Sequence, residues 1–295
     1  MKKIVLSITA SLLLSSSLYA QDNAAVIQDN PLEKSYYGYN YIGFGMETAT
    51  YQEIGIIKSG SLAGTHYRSS ATSTSPVYVS GGLIKMNKYF DFSIDAASTL
   101  MPTQSDEKWQ NTDKGTLAQE NKFDSVQSDL KMLLQYKINN NHRIAIGPNY
   151  NLFSMKRYDF SAYGETIPDA QLNQEDIATL NLMMGYVYEY APFSNGGMRI
   201  KTSALYGKPV WNKATNTDAP DLSFNSTKGS TIDVDGYIGF ELTKGLEMGV
   251  FGRYSLKKKD GADDVTVNAN TVTWPENELE TFRYGVSFVW NFDAK

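Results

Sequence analysis

From residue 75 onward the chain alternates apolar and polar positions with period two. The last segment shows it most clearly, with Phe282, Tyr284, Val286, Phe288, Trp290 and Phe292 set against Arg283, Gly285, Ser287, Val289 and Asn291. The same pattern sets Ile232, Val234, Ile238, Phe240 and Leu242 against Thr231, Asp233, Asp235, Gly239 and Glu241. It also sets Leu246, Met248, Val250, Tyr254 and Leu256 against Glu247, Gly249, Arg253, Ser255 and Lys257. Earlier copies begin at Phe90, Leu130, Ile144, Ala178 and Met198. Each reads as a strand with one apolar and one polar face.

The connections alternate in length. Short links made of turn-forming residues lie at Asn87-Lys88, at Asn139 to His142, at Pro192 to Gly197 and at Thr243 to Gly245. Between them run long polar stretches, roughly 52–74, 101–122, 155–176, 208–230 and 258–278. The unit is therefore a hairpin followed by a long loop. One strand at about 36–50, four turn-linked pairs and a terminal strand make ten, an even number, as a closed antiparallel barrel with both termini on one side requires. About eleven residues per strand, at about 3.3 Å each and tilted by about 40°, span about 28 Å, close to the apolar band of a transmembrane barrel. Soluble sandwiches use shorter strands with turns every 8–12 residues. Aromatics also fall at both strand ends: Tyr136, Tyr186, Tyr188, Tyr190, Phe90, Trp290 and Phe292 beside the short turns, and Tyr150, Tyr206, Tyr254, Phe282 and Tyr284 beside the long loops, as two interfacial girdles. In the first strand Tyr37, Tyr39 and Tyr41 alternate in one register and Ile42, Phe44 and Met46 in the other, which predicts a bulge or kink near Gly43.

The N-terminus carries Lys2 and Lys3, an apolar run from Ile4 to Leu14 and a Ser-rich stretch ending at Ala20, the layout of a secretory signal. The expected organisation is a signal peptide at 1–20, a periplasmic N-terminal segment at 21–35 and an outer-membrane barrel at 36–295. The signal, the paired hairpins and the closing Tyr284-x-Val286-x-Phe288-x-Trp290-x-Phe292 resemble Gram-negative outer-membrane β-barrel proteins across nearly the whole mature chain. The resemblance implies an all-β, transmembrane, antiparallel up-and-down barrel with short periplasmic turns and long extracellular loops. It implies that Tyr284, Val286, Phe288, Trp290 and Phe292 are read by the barrel-assembly machinery, and that outer-membrane lipids and lipopolysaccharide surround the wall. Asp293, Ala294 and Lys295 follow Phe292, where the superfamily pattern ends the chain on the aromatic.

Composition narrows the chemistry. With Cys 0 there is no disulfide, thiolate metal site, cysteine nucleophile or lipid-bearing cysteine, and no run of about 18 apolar residues can form a membrane helix. Removing residues 1–20 takes away two lysines and no acid, leaving 25 bases against 32 acids, so nucleic-acid binding has no electrostatic basis. Taking odd-numbered residues as inward, the lumen receives Asp91, Asp95, Asp129, Glu189, Asp233, Asp235, Glu241 and Glu247 alongside Lys131, Lys137, Arg143, Arg199, Lys201, Arg253, Lys257 and Arg283. These predict a narrow interior crossed by ion pairs, since a barrel of about eight strands is filled by its own side chains and open channels appear near 16.

His 2 is the number that weakens enzyme analogies. Omptin proteases are ten-stranded and similar in length, and resemblance to them implies an Asp pair opposite an Asp-x-His pair at the outer rim. Asp233-Val234-Asp235 supplies two carboxylates on one face, but His66 lies in Thr65-His66-Tyr67 and His142 in a short turn, so the second pair is missing. A lipid-modifying site needs a Ser with a His base; His66 with Ser59, Ser61, Ser69 or Ser70 is the sole outer-side option and reads as a loop histidine. Asp260, Asp263 and Asp264 match no calcium-loop spacing. Trp109, Trp211 and Trp274 fall in three different long loops, where aromatics serve loop packing or adaptable contacts. The expectation is a non-enzymatic scaffold acting through five long surface loops, with no cofactor and no metal. A narrow porin-like channel is the alternative, and a rim enzyme comes third.

Overall fold

The computed structural model describes residues 36–56, 63–162, 165–166, 172–190, 197–217, 219–267 and 270–293. The expected signal peptide, the 21–35 segment and most of the short turn at Pro192 to Gly197 lie outside these residues. The described strands are β1 (Tyr36–Ile56), β2 (His66–Lys85), β3 (Phe90–Thr99), β4 (Ser105–Asn111), β5 (Thr116–Lys137), β6 (His142–Ala162), β7 (Glu165–Thr166) and β8 (Asn173–Tyr190). They continue as β9 (Met198–Asn216), β10 (Ala219–Phe224), β11 (Gly229–Thr243), β12 (Leu246–Lys259), β13 (Asp263–Val267), β14 (Asn270–Trp274) and β15 (Glu276–Asp293).

These segments exceed the ten expected, for two reasons. β3 and β4 both run antiparallel between β2 and β5, so they are one stave interrupted at 100–104. β7, β10, β13 and β14 are short pieces within the outer connections. What remains is a ring of ten staves, each antiparallel to its neighbours, closed where β1 pairs with β15. Closure leaves no edge in the wall, which is what allows a sheet to face lipid with every backbone group paired.

The outward face of the ring carries an apolar belt: Ile144, Ile146 and Leu152 on β6, Ile238 and Phe240 on β11, and Phe282, Tyr284, Val286, Phe288 and Trp290 on β15 all expose their side chains. Beyond this belt the strands do not stop. β1 has 21 residues, β5 22 and β6 21; at about 3.3 Å per residue and a tilt of about 40°, such strands reach about 50 Å, twice the height of the lipid-facing band. The five loops expected at about 20 residues are therefore mostly strand. The outward residues above the belt are Thr48, Thr50 and Gln52 on β1, Thr72 and Thr74 on β2, Ser154 and Lys156 on β6, and Glu278 and Glu280 on β15. Facing water, they are polar, whereas their inward neighbours Ala49, Tyr51, Ala71, Phe153, Met155 and Leu279 pack as an apolar cluster. The alternation of the belt is inverted there while the hydrogen-bonded ladder continues.

β1 also corrects the sequence reading. Its register with β2 runs unbroken from Gly38 to Ile56, with no bulge at Gly43. Tyr39 and Tyr41 point inward into a cluster with Val79, Leu83, Phe251 and Val289, while Phe44 points outward and is 55% exposed. Both faces are apolar, and the two apparent registers coexist on one regular strand. At the short ends, Asn87 Oδ1 accepts the N–H groups of Tyr89 (2.7 Å) and Phe90 (2.9 Å), and Asn139 Oδ1 those of Asn141 and His142 (both 2.9 Å). These side-chain mimics of a backbone turn explain why Asn marks the tight reversals.

Candidate functional site

The inward face carries three tiers of buried ion pairs. Nearest the short turns, Asp91 binds Lys137 (2.7 Å) and Arg143 (2.9 Å). Arg143 reaches Glu189 at 3.2 Å, Glu189 binds Arg199 at 3.0 Å, and Arg199 binds Glu247 at 3.0 Å while stacking over the Tyr39 ring. This chain of charges crosses the lumen from β3 to β12. Lys201 stands beside it and donates to the Tyr39 hydroxyl at 3.1 Å. Glu241 does not join the tier; its carboxylate accepts the Gly245 N–H at 3.0 Å, capping the last short turn.

In the middle tier Lys131 binds both Asp233 and Asp235 at 3.2 Å. Arg253 lies between Asp95 (3.8 Å) and Asp235 (4.0 Å) and donates to Tyr41 at 2.8 Å. Asp129 binds Lys257 (2.6 Å) and Arg283 (2.5 Å), and Arg283 also binds Glu47. Two cavities of about 60 and 30 Å³ adjoin this tier, room for about four waters and two at about 15 Å³ each. Asp95, Lys131, Asp235 and Arg253 line both and form the partition between them.

The outer tier lies above the apolar belt. Arg157 donates through Nε and Nη2 to both Glu107 oxygens (2.7 and 3.0 Å) and through Nη2 to Glu53 (2.8 Å), with Glu175 at 4.0 Å. Its guanidinium faces the Trp109 ring at 5.3 Å and the Tyr51 ring at 5.9 Å. Three carboxyls share one guanidinium, all buried. Burial opposes the charge of Arg157, yet Glu53 and Glu107 hold it well above the ordinary guanidinium value. Glu175 is the furthest of the three from the guanidinium, and burial together with the Glu53 charge outweighs the pull of Arg157 and pushes its carboxyl up to about 8. Burial and Glu53 likewise raise Tyr51, and raise Tyr67 to about 12.

The sequence pointed to the two lower tiers and missed Glu47, Glu53, Glu107, Arg157 and Glu175. All are odd-numbered, so the signal existed: the inward parity of each stave persists past the point where its outward residues turn polar. β9 shifts where Val210 is an extra residue opposite Leu180 and Asn181 and brings Asn212 and Ala214 inward, and the register also slips between Trp109 and Gln110 opposite β5 and between Glu120 and Lys122 opposite β6.

Other candidates disperse. Asp233 and Asp235 are tied to Lys131 and to Ser255 (2.7 Å) and Ser203 (3.0 Å), not paired with a histidine. His66 sits at the exposed rim with Nδ1 3.1 Å from Asp113, and His142 contacts Tyr186 at a short turn. Ser59 and Ser61 lie outside the described residues; Ser69 points inward and Ser70 outward. Asp263 pairs with Lys259 (2.8 Å) and Lys228 (3.7 Å), and Asp264 accepts from Thr273 (2.6 Å), so the acidic patch is divided among partners. Trp109 and Trp274 converge on the outer tier from β4 and β14, whereas Trp211 is 43% exposed on the outer wall of β9.

No family model matches the chain, and no curated protein matches its sequence. Among solved structures, the outer-membrane protease OmpT from Escherichia coli is similar with a TM-score of 0.62 at 11% identity, over 92% of this chain and 99% of that one. The chain folds as an outer-membrane β-barrel. OprG from Pseudomonas aeruginosa (TM-score 0.35, 12% identity, 88% and 98% covered) and AlkL (0.38, 13%, 92% and 99%) are also similar. The likeness to OmpT concerns the path of the wall; what fills this barrel is set by its own side chains. Tyr284, Val286, Phe288 and Trp290 of its last strand all face outward, 42–47% exposed.

Proposed function

We propose that this protein is an integral outer-membrane barrel, closed to solutes and without catalytic groups, that serves as a rigid platform for its water-facing outer wall. One observation carries the reading: ion pairs bridge the lumen at three successive levels, and the middle one partitions two small cavities of about 60 and 30 Å³. Moving a solute through would separate several buried pairs at once and leave their charges in the lumen without partners, which is costly in a low-dielectric interior. The platform is the strand-built wall above the apolar belt. The lipid-facing belt meets outer-membrane lipids and lipopolysaccharide, and the outward aromatic row of β15 presents the assembly signal.

The narrow-channel reading has the two cavities in its favour, and the two readings part in one measurement. Purified, refolded protein in a planar bilayer is expected to give no stepwise conductance while its heat-modifiable gel mobility reports a folded barrel. Reproducible unitary steps from that folded material would replace the platform with a channel. Loss of any peptidase or lipid-acyl activity on replacing His66, Asp233 and Asp235 by Ala would return the rim enzyme.

A further inference from the structure

The larger cavity lies in the lumen between the tier nearest the short turns and the middle tier. It holds about 60 Å³, and its wall carries Lys131, Arg199, Lys201 and Arg253 against Asp95 and Asp235. Three of these cations are matched by carboxylates: Lys131 by Asp233 and Asp235, Arg199 by Glu189 and Glu247, and Arg253 by Asp95 and Asp235. Lys201 is not. Its ammonium donates to the Tyr39 hydroxyl at 3.1 Å and pairs with no carboxylate among the described residues.

Two hydroxyls on the same wall also have a proton to give. Ser93 accepts from Gln135 Nε2 at 2.7 Å, and its own O–H donates to no described residue; the Tyr237 hydroxyl is buried without a hydrogen-bond partner in that set. Against these donors stands one bare acceptor, Gln135 Oε1. The rest of the wall is mostly apolar. Leu133 of β5, Val187 of β8 and Leu205 of β9 pack in one cluster, and Val79, Phe251 and Val289 in another. Val187 stands opposite Ser203, one inward step along β9 from Lys201, so the ammonium and the first cluster share one side of the chamber.

A buried charge without a counter-ion is costly, and an enclosure that excludes bulk water strengthens its attraction for an anion. The room fixes the size: space for about four waters admits an anion of about four non-hydrogen atoms. A halide answers the ammonium and leaves the apolar wall uncovered, whereas a carboxylate bearing a methyl group answers both. We propose that the chamber is a binding site for a small monocarboxylate of the size of acetate, its oxygens toward Lys201 and Ser93 and its methyl group among Leu133, Val187 and Leu205. The inference goes beyond the platform reading, because a ligand seated between two closed tiers is held by the barrel and not passed through it.

Such a ligand has a thermodynamic signature. The unfolded chain has no chamber, so the ligand binds the folded barrel alone and raises its folding equilibrium constant about tenfold for each tenfold of ligand once the site is filled. Because the chamber is enclosed, the ligand is supplied while the barrel folds.

The test is urea unfolding of the full barrel refolded into lipid vesicles, with sodium chloride replaced stepwise by sodium acetate at constant ionic strength. The wild-type protein is expected to gain about tenfold in folding equilibrium constant per tenfold of acetate at the upper end of the series. Acetamide, which has the shape of acetate without its charge, should give no gain. Lys201→Met should fold and show no acetate dependence. Leu133→Phe, which fills the chamber and keeps Lys201, should lose the dependence as well, and it provides the second arm if Lys201→Met does not fold. No gain in the wild-type protein on exchanging chloride for acetate, an equal gain in Lys201→Met or Leu133→Phe, or an equal gain with acetamide overturns the proposal. Bilayer conductance, silent with or without acetate in this account, reports separately on the platform reading.

Discussion

Replacing Arg157 by Met keeps most of the side-chain volume and removes the cation that, among the described residues, pairs with Glu53, Glu107 and Glu175. Breaking a buried pair by deleting one partner costs about 3–5 kcal/mol, and loss of the guanidinium contacts with Trp109 and Tyr51 adds about 1 kcal/mol. A destabilisation of about 4–6 kcal/mol at pH 7.5 is expected, large beside the 5–15 kcal/mol typical of a folded domain. Urea unfolding in lipid vesicles, followed by tryptophan fluorescence, measures it. The loss should shrink at pH 5, because the stranded carboxyls then take up protons more easily, and each pH unit is worth about 1.4 kcal/mol per group. Arg157→Lys should recover less than half, since an ammonium cannot reproduce the two-pronged contact with Glu107. A loss below about 1 kcal/mol at pH 7.5, or an equal loss at both pH values, would refute the reasoning.

Three further outcomes are expected. Lys131→Met strands Asp233 and Asp235 in the middle tier and should cost about 3–5 kcal/mol in the same unfolding assay, with Lys131→Met/Asp233→Asn/Asp235→Asn recovering most of it. Gly45 faces Gly285 across the closing seam, and a Cβ at Gly45 would lie 2.0 Å from the Tyr284 carbonyl oxygen, so Gly45→Val should cost about 1–3 kcal/mol or abolish the heat-modifiable band on gels. Val286→Arg places a charge in the lipid-facing belt at a cost of about 2–4 kcal/mol, and unfolding from vesicles should show it while Glu280→Arg, above the belt, changes little.

The amino-acid sequence determined the barrel. Period-two alternation is a local property, and the lipid on one side and packed charge on the other write it directly into Phe282 to Phe292, so strand positions, ring size and the odd inward parity were all legible. Lys131, Asp233, Asp235, Arg253 and Arg283 could be assigned to the interior from parity alone. Their partners could not, because a pair such as Lys131 with Asp233 joins staves about one hundred positions apart in the chain, and only the shear of the closed ring sets which levels meet. Above the belt the sequence lost even the strands, since water on the outside turns the outward face polar while Tyr51, Phe153 and Met155 fill the inside, so the apolar parity of the belt is inverted. That is where tertiary structure decided most. Closing the ring carried Glu53, Glu107, Arg157 and Glu175 to one point and brought Trp109 and Trp274 over it, so residues that looked like solvated loop became the most tightly buried charges of the outer wall.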